Sequence, residues 1–149
     1  MTTLKIGDKA PDFSAVDQDG NIHALKDYKG KKLVVFFYPK ANTPGCTNEA
    51  CDLRDNYERF KANGYELLGV SADTQKAQGK FKEKYSLPYP LIADVDKVMI
   101  NAFGIWGPKT FMGRTYDGIH RTTFVIDEKG ILENIIEKVK TKHHTEQLL

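Results

Sequence analysis

Cysteine is close to absent from this chain: two residues among 149, too few to scaffold a protein of this length with disulfides. Histidine is scarce as well. Of the four, His143 and His144 form only an adjacent pair near the C-terminus. With a loose C-x4-C spacing between the cysteines, that is a poor pattern for a zinc site. No histidine has a sequence context that marks it as the base of a cysteine hydrolase. A long apolar run is missing too, since nothing approaches the ~20 residues of a membrane span. The opening MTTLKIGDKAPDF lacks the basic-then-apolar layout of a secretory signal. Charge of one sign is not in excess: 22 basic and 20 acidic residues leave a formal net charge of +2. That balance argues against nucleic acid or an anionic membrane as the main partner. Repeats, low-complexity tracts and linkers are also lacking. These absences point to a cytoplasmic protein, where a thiol pair is more often catalytic or redox-active than a permanent staple.

What is present reads as an α/β chain, and the length argues for one domain spanning 1–149. FSAVDQDGNIHAL predicts an N-terminal β-hairpin, with Asp19-Gly20-Asn21 at its turn. Leu33-Val34-Val35-Phe36-Phe37-Tyr38 is an unbroken apolar, β-branched and aromatic run, as expected of a central strand buried on both faces. Pro39 stops it. Cys46, Ala50, Leu53, Tyr57 and Phe60 then recur at helical spacing, with Gly64 placed for a C-cap. Leu67 to Ser71 predicts a second strand, completing a β-α-β unit with a right-handed crossover.

A helix is predicted over 74–85, weakened by Gly79. It is followed by a short strand at Leu91-Ile92-Ala93 and a short helix from Lys97 to Phe103. GIWGPKTFMGRTYDG reads as an irregular, Gly-rich segment. Thr122 to Ile126 and Ile131 to Ile136 predict a final hairpin, with a closing helix after it. The result is a mixed sheet flanked by helices, with the thiols at the C-terminal end of a central strand, the edge where open α/β sheets place their sites.

The thiol segment, PKANTPGCTNEAC, predicts a helix start in detail. Thr43 precedes a proline and suits the N-cap. Pro44 falls at the first helical position, so Cys46 is third. A thiolate there sits at the positive end of the helix dipole beside unpaired backbone N–H groups, conditions that favour the ionised, nucleophilic form. The Thr43 hydroxyl is expected within reach of the sulfur. Cys51 lies ~140° further around the helix, with the two Cα atoms ~8.7 Å apart. A disulfide needs roughly 4.4–6.8 Å. The pair therefore bonds only if the first turns unwind. Spacing alone leaves open whether Cys46 is reactive or a small residue on a buried helix face.

Pro39-x-x-x-Thr43-x-x-Cys46 resembles the peroxiredoxin signature, and the string from Tyr38 to Cys51 is similar to the Q-type subgroup, the bacterioferritin comigratory protein family. The resemblance extends to Gly7–Phe13, Val70–Asp73, Leu87–Leu91, Ile105–Gly107 and Ile119–Asp127. It implies a thioredoxin-like fold and a thiol-dependent peroxidase acting on hydrogen peroxide and organic hydroperoxides. Cys46 would be the peroxidatic cysteine, Cys51 the resolving cysteine, Thr43 and Arg121 polar partners of the peroxide, and Pro39 a shield.

Arg121 suits such chemistry because it stays cationic and presents several donors in a fixed fork. The family pattern includes Glu49, which is read here as a solvated helix residue. Gln78-Gly79 departs from the bulkier pair expected and puts the local stability of that helix in question. Trp106 and Phe111 are candidates either to wall the site or to pack in the core. Recycling by thioredoxin or a similar dithiol is implied, with no metal, haem or flavin, in a monomer or weak homodimer. The rival reading is a non-catalytic thioredoxin-like module for binding or redox sensing. A thioredoxin-like disulfide oxidoreductase fits less well, since such enzymes use C-x-x-C.

Overall fold

The computed structural model describes residues 2–149. An N-terminal hairpin pairs β1 (Ser14–Val16) with β2 (Ile22–Ala24) in antiparallel register. Its loop is stapled by Asp17, whose Oδ1 accepts the N–H groups of Asp19 and Asn21. The chain then enters β3 (Lys32–Phe37), in which Leu33 to Phe37 are fully buried. Side chains alternate across the strand. Leu33, Val35 and Phe37 join one apolar cluster, while Val34, Phe36 and Tyr38 join the other, which also holds Cys46.

Helix α1 (Pro44–Asp55) begins at the expected proline. The single helix expected from Cys46 to Phe60 is in fact two. Asn56 leaves helical geometry (φ −110°, ψ 12°) and turns its Nδ2 back to the carbonyl of Asp52 at 2.8 Å. A short polar side chain thus replaces the backbone as partner of a helix carbonyl, and α2 (Tyr57–Ala62) starts afresh. The parallel neighbour of β3 follows as β4 (Tyr65–Ser71), in the register Phe36↔Gly69. A Cβ on Gly69 would stand 2.7 Å from Leu91 Cδ2 and 2.9 Å from Phe36 Cζ. Glycine is what lets those two side chains close over the strand.

α3 (Gln75–Tyr85) matches the expected span. Gln78 in it is fully buried but satisfied: Oε1 accepts the Tyr38 hydroxyl at 2.6 Å and Nε2 donates to the Ile92 carbonyl at 2.8 Å. The doubtful pair thus supplies a polar clamp between helix and sheet. β5 (Leu91–Ala93) and α4 (Val98–Ala102) come next.

The segment expected to be irregular is a second antiparallel hairpin, β6 (Trp106–Phe111) with β7 (Arg114–Ile119). Met112 and Gly113, both with positive φ (51° and 80°), form its tip, as a two-residue turn of matching twist requires. Pro108 and two glycines mask the strand pattern, and most of the ribbon is exposed, so no buried alternation betrays it. β8 (Thr122–Ile126) and β9 (Leu132–Ile136) form the expected final hairpin, and α5 (His144–Leu148) closes the chain.

The five-stranded sheet runs β5-β4-β3-β8-β9. It is mixed, because β3 is parallel to β4 and antiparallel to β8. The pairing Phe37↔Thr122 brings the start of β8 beside the end of β3. Arg121 thereby arrives at the edge from which α1 departs.

Candidate active site

The link from β3 into α1 is pinned before the helix starts. The Ala41 N–H donates to Asp73 Oδ2 at 2.7 Å, and the same oxygen accepts the Ser71 hydroxyl at 2.7 Å. Asn42 takes a left-handed backbone (φ 63°), and its Oδ1 accepts the Tyr85 hydroxyl at 3.1 Å. Thr43 occupies the N-cap with extended geometry, and the helix opens with Thr47 N–H donating to its carbonyl at 2.8 Å. Its hydroxyl, expected to lie at the sulfur, donates instead to the Lys40 carbonyl at 2.8 Å. It caps no helix N–H, and no hydrogen bond joins it to Cys46 among the described residues. That leaves the free N–H groups of the first turn available to a substrate. Pro39 is half-buried beside this link.

Cys46 is 1% exposed. The Arg121 Nη2 donates to its Sγ at 3.3 Å, while Nη1 of the same guanidinium donates to Glu49 Oε1 at 2.7 Å. Glu49, read from sequence as a solvated helix residue, is completely buried. The helical wheel sets it three residues from Cys46, on the same face. The partner that makes its burial tolerable, Arg121, stands far off in sequence. Burial pushes the Glu49 carboxyl up to about 7, against the opposing pull of Arg121. The guanidinium is therefore held between an acid and a sulfur, both buried.

Gly45 is part of this fit, for a Cβ there would stand 3.2 Å from Arg121 Nη2. Arg121 itself is aimed by its neighbours. His120 N–H donates to the Ile105 carbonyl at 2.7 Å, and the Thr122 hydroxyl donates to the His120 carbonyl at 2.9 Å. Lys109, on β6, donates to the Ile119 carbonyl at 2.9 Å. Sequence reasoning missed Gly45, Lys109 and the burial of Glu49; a glycine at the second helical position, where no turn demands one, was the available signal.

Cys51 sits apart. It is half-buried, its thiol is free, and burial pushes it up, so it is held as a thiol. Helix α1 is intact from Pro44 to Asp55, so the two cysteines are not bonded. That stretch of α1 is tethered from outside. The Tyr89 hydroxyl donates to the Ala50 carbonyl at 2.6 Å, and Arg54 Nη1 donates to the Tyr85 carbonyl at 2.7 Å. Asp52 Oδ2 accepts the Thr145 N–H at 2.7 Å. Trp106 packs at the margin of the core with Lys97 Nζ 5.0 Å above its ring, and Phe111 is exposed on the hairpin.

A buried sulfur at a helix N-terminus under a guanidinium is arranged for reaction with a small, polarisable, neutral oxidant. The chain matches the AhpC/TSA family over residues 6–135. It is 47% identical over 149 residues to peroxiredoxin Bcp of Escherichia coli K12, covering all of this chain and 96% of that protein. It is 46% identical over 147 residues to peroxiredoxin Bcp of Bacillus subtilis, covering 99% and 94%. Among solved structures, Xylella fastidiosa PrxQ superposes with a TM-score of 0.92 at 29% identity, over 99% of this chain and 94% of that one. Xanthomonas campestris peroxiredoxin Q gives 0.88 at 31% identity, over 99% and 93%. Full-length agreement in sequence and in fold makes this thioredoxin-like chain a member of the AhpC/TSA family, in its peroxiredoxin Q and Bcp branch, and a thiol peroxidase.

Proposed function

We propose that Cys46 is the thiol that attacks peroxide, and that Cys51 resolves the product within the same chain. The observation that carries this reading is the Arg121 guanidinium, which donates to Cys46 Sγ with one nitrogen and to Glu49 with another. In the first step the Cys46 thiolate attacks one peroxide oxygen and the O–O bond breaks. The sulfur becomes a sulfenic acid, two-electron oxidised, and the other oxygen leaves as hydroxide or alkoxide. Arg121 and the open N–H groups of α1 stabilise the charge moving onto that oxygen. The Thr43 hydroxyl, one rotation away from the Lys40 carbonyl, is the further polar partner, and Pro39 shields the mouth of the site. In the second step the Cys51 thiol condenses with the sulfenic acid, forming the disulfide and releasing water. α1 must unwind for this, because ~8.7 Å between the Cα atoms exceeds disulfide reach. A dithiol, thioredoxin or a protein like it, then reduces the disulfide by exchange and is itself oxidised.

The substrates are hydrogen peroxide and organic hydroperoxides. In support of the latter, the Xanthomonas campestris bacterioferritin comigratory protein, 30% identical over 99% of this chain, is described by its alkyl peroxide reduction. The acting form is one domain spanning 1–149, a monomer or weak homodimer, since the resolving thiol belongs to the same chain. A cycle that must be reset by a dithiol suits the cytoplasm. No helix among the described residues is long and apolar enough to cross a membrane.

Intact-mass measurement after one equivalent of hydrogen peroxide tests the assignment. Wild type loses two hydrogens, Cys51→Ser gains one oxygen, and Cys46→Ser is unchanged. A wild-type chain that stays reduced for minutes, or a Cys46→Ser chain that oxidises as wild type does, overturns it. Turnover with thioredoxin then tests the reductant.

A further inference from the structure

A cavity of about 330 Å³ lies at the end of the β3–β8 seam away from Cys46. Its floor is apolar. Leu33 and Ile126, paired across that seam, form the base together with Ala10, and all three are buried. Leu25, Tyr28 and Ile131, each half-buried, form the walls. The thiol site sits at the other end of the same seam, where Phe37 pairs with Thr122. No step of the peroxide reaction uses this cavity.

The walls are fixed by bonds of the protein's own. The Gly30 N–H donates to the Glu128 carbonyl at 3.0 Å, and the Ala10 N–H donates to the Gly130 carbonyl at 2.9 Å. These bonds tie the link into β3 and the segment before β1 to the β8–β9 turn. The Tyr28 hydroxyl lies 2.8 Å from His23 Nδ1, and Nε2 of that ring lies 2.8 Å from Oδ2 of the buried Asp17. A cavity held in this way is preorganised, so a ligand loses little affinity to rearrangement.

The rim carries one sign of charge in excess. Five lysines line the cavity, Lys9, Lys26, Lys29, Lys31 and Lys129, against two acids, Asp12 and Asp127. Lys31 is paired with Glu66 at 3.3 Å. Asp127 Oδ1 is taken by the N–H groups of Lys129 and Ile131. Lys9, Lys26 and Lys29 have no ion pair among the described residues, so three ammonium groups stand unpaired around one apolar hollow. Backbone donors at the rim are already used. Besides Ala10 and Gly30, the N–H groups of Lys29, Lys31 and Gly130 donate to the carbonyls of Lys26, Tyr28 and Asp127. A phosphate cradle needs such groups free. A lysine rim without them suits a carboxylate, and an apolar floor needs an apolar body to cover it.

We infer that this cavity is a binding site for a small amphipathic carboxylate, a medium-chain fatty acid anion. Its alkyl chain covers the Leu33–Ile126 floor and its carboxylate meets Lys9, Lys26 and Lys29. The volume stands at the lower end for ligand pockets, which excludes long chains. The inference is independent of the roles of Cys46 and Cys51.

Octanoate is the probe, titrated into the full reduced chain while backbone amide resonances are followed by NMR. The expected dissociation constant is below about 1 mM, with shifts centred on Ala10, Tyr28, Ile126 and Ile131 and none at Cys46 or Arg121. Octanol, the neutral analogue, should bind about 10-fold more weakly. Butyrate, shorter by four methylenes, should bind about 100-fold more weakly. Raising NaCl from about 0.02 to about 0.2 M should weaken octanoate about 3-fold and leave octanol unchanged. Lys26→Gln with Lys29→Gln should weaken octanoate about 3- to 10-fold, toward the value for octanol. Ile131→Glu, which sets a carboxylate against the floor, should abolish binding. Should that variant fail to fold, the lysine pair, altered only at exposed groups, carries the test.

The absence of a saturable shift overturns the inference, as do shifts centred on the thiol site. Equal binding of octanol and octanoate overturns it as well, and so does inorganic phosphate shifting the same amides as strongly. Retention on anionic phospholipid vesicles without octanoate binding would make the lysines a membrane-facing patch and overturn it too.

Discussion

Two helices, α1 and α3, pack against the same face of the central sheet and are held there in opposite ways. α3 is closed on itself. The Thr74 hydroxyl accepts the Ala77 N–H at 3.1 Å, Ser86 ends the helix in a left-handed cap, and Gln78 locks its middle to Tyr38 and Ile92. α1 lacks such self-sufficiency. Its N-cap hydroxyl bonds backward to Lys40, its first turn faces a guanidinium, and its later turns hang on Tyr89, Tyr85 and Thr145. A helix satisfied by its own caps is stable and inert. One held by bonds to other elements offers free N–H groups to a ligand and can be let go by breaking those bonds.

Arg121→Ala breaks the contrast most severely. It removes the donor at the sulfur and leaves Glu49 buried without its partner, and the peroxide rate constant should fall about 100- to 1,000-fold. A competition assay against a peroxidase of known rate measures this directly. Arg121→Lys should recover little, since a single ammonium cannot serve Sγ and Oε1 in the same fork.

Glu49→Gln sharpens it through pH. The Glu49 carboxyl ionises near 4.5 when unfolded and about 7 when folded. A raised folded value means that the native state binds the proton more tightly. This stability is present in full below 4.5 and lost as pH rises through 7. Thermal unfolding of wild type and Glu49→Gln across that window should therefore diverge in the variant's favour, by roughly 2–3 kcal/mol at pH 7. Parallel curves would show that Glu49 does not titrate there.

Asp52→Ala cuts a single external tether of α1. Losing the Thr145 bond should ease unwinding by about 1 kcal/mol and speed disulfide formation about 5-fold. More peroxide is then needed to drive Cys46 to the sulfinic acid, read as the dose giving half-trapping by mass spectrometry. The smallest effect belongs to α3. A Cβ on Gly79 meets nothing nearer than Gln18 Cβ at 4.0 Å. Gly79→Ala should stabilise the fold by about 0.5–1 kcal/mol, with the peroxide rate unchanged.

What could be read in the chain follows the same division. Features written in neighbouring residues were legible: the buried run of β3, the Thr43-Pro44 start that sets Cys46 at the third helical position, the span of α3, and the final hairpin. What depends on distant residues was not. Glu49 looks like any polar helix residue until Arg121 and His144 are brought to it by the β3–β8 register and the fold of the C-terminus. His144 has no neighbour in sequence that hints at its burial. The β6–β7 ribbon hides because its strands bury little, and periodicity reports burial rather than pairing. The interruption at Asn56 turns on one side-chain hydrogen bond that propensity does not resolve.

The antiparallel seam between β3 and β8 also sets a timetable. The Arg121–Cys46 bond joins residues 75 positions apart, and it cannot form until β8 has docked on a strand made far earlier. Pairings across such separations assemble late in folding because loop closure must come first. A growing or misfolded chain therefore carries Cys46 without the Arg121 donor at its sulfur. If Cys46 acts as proposed, its reactivity toward peroxide is acquired together with the native topology, and a newly made chain is a poorer target for oxidation until β8 has docked.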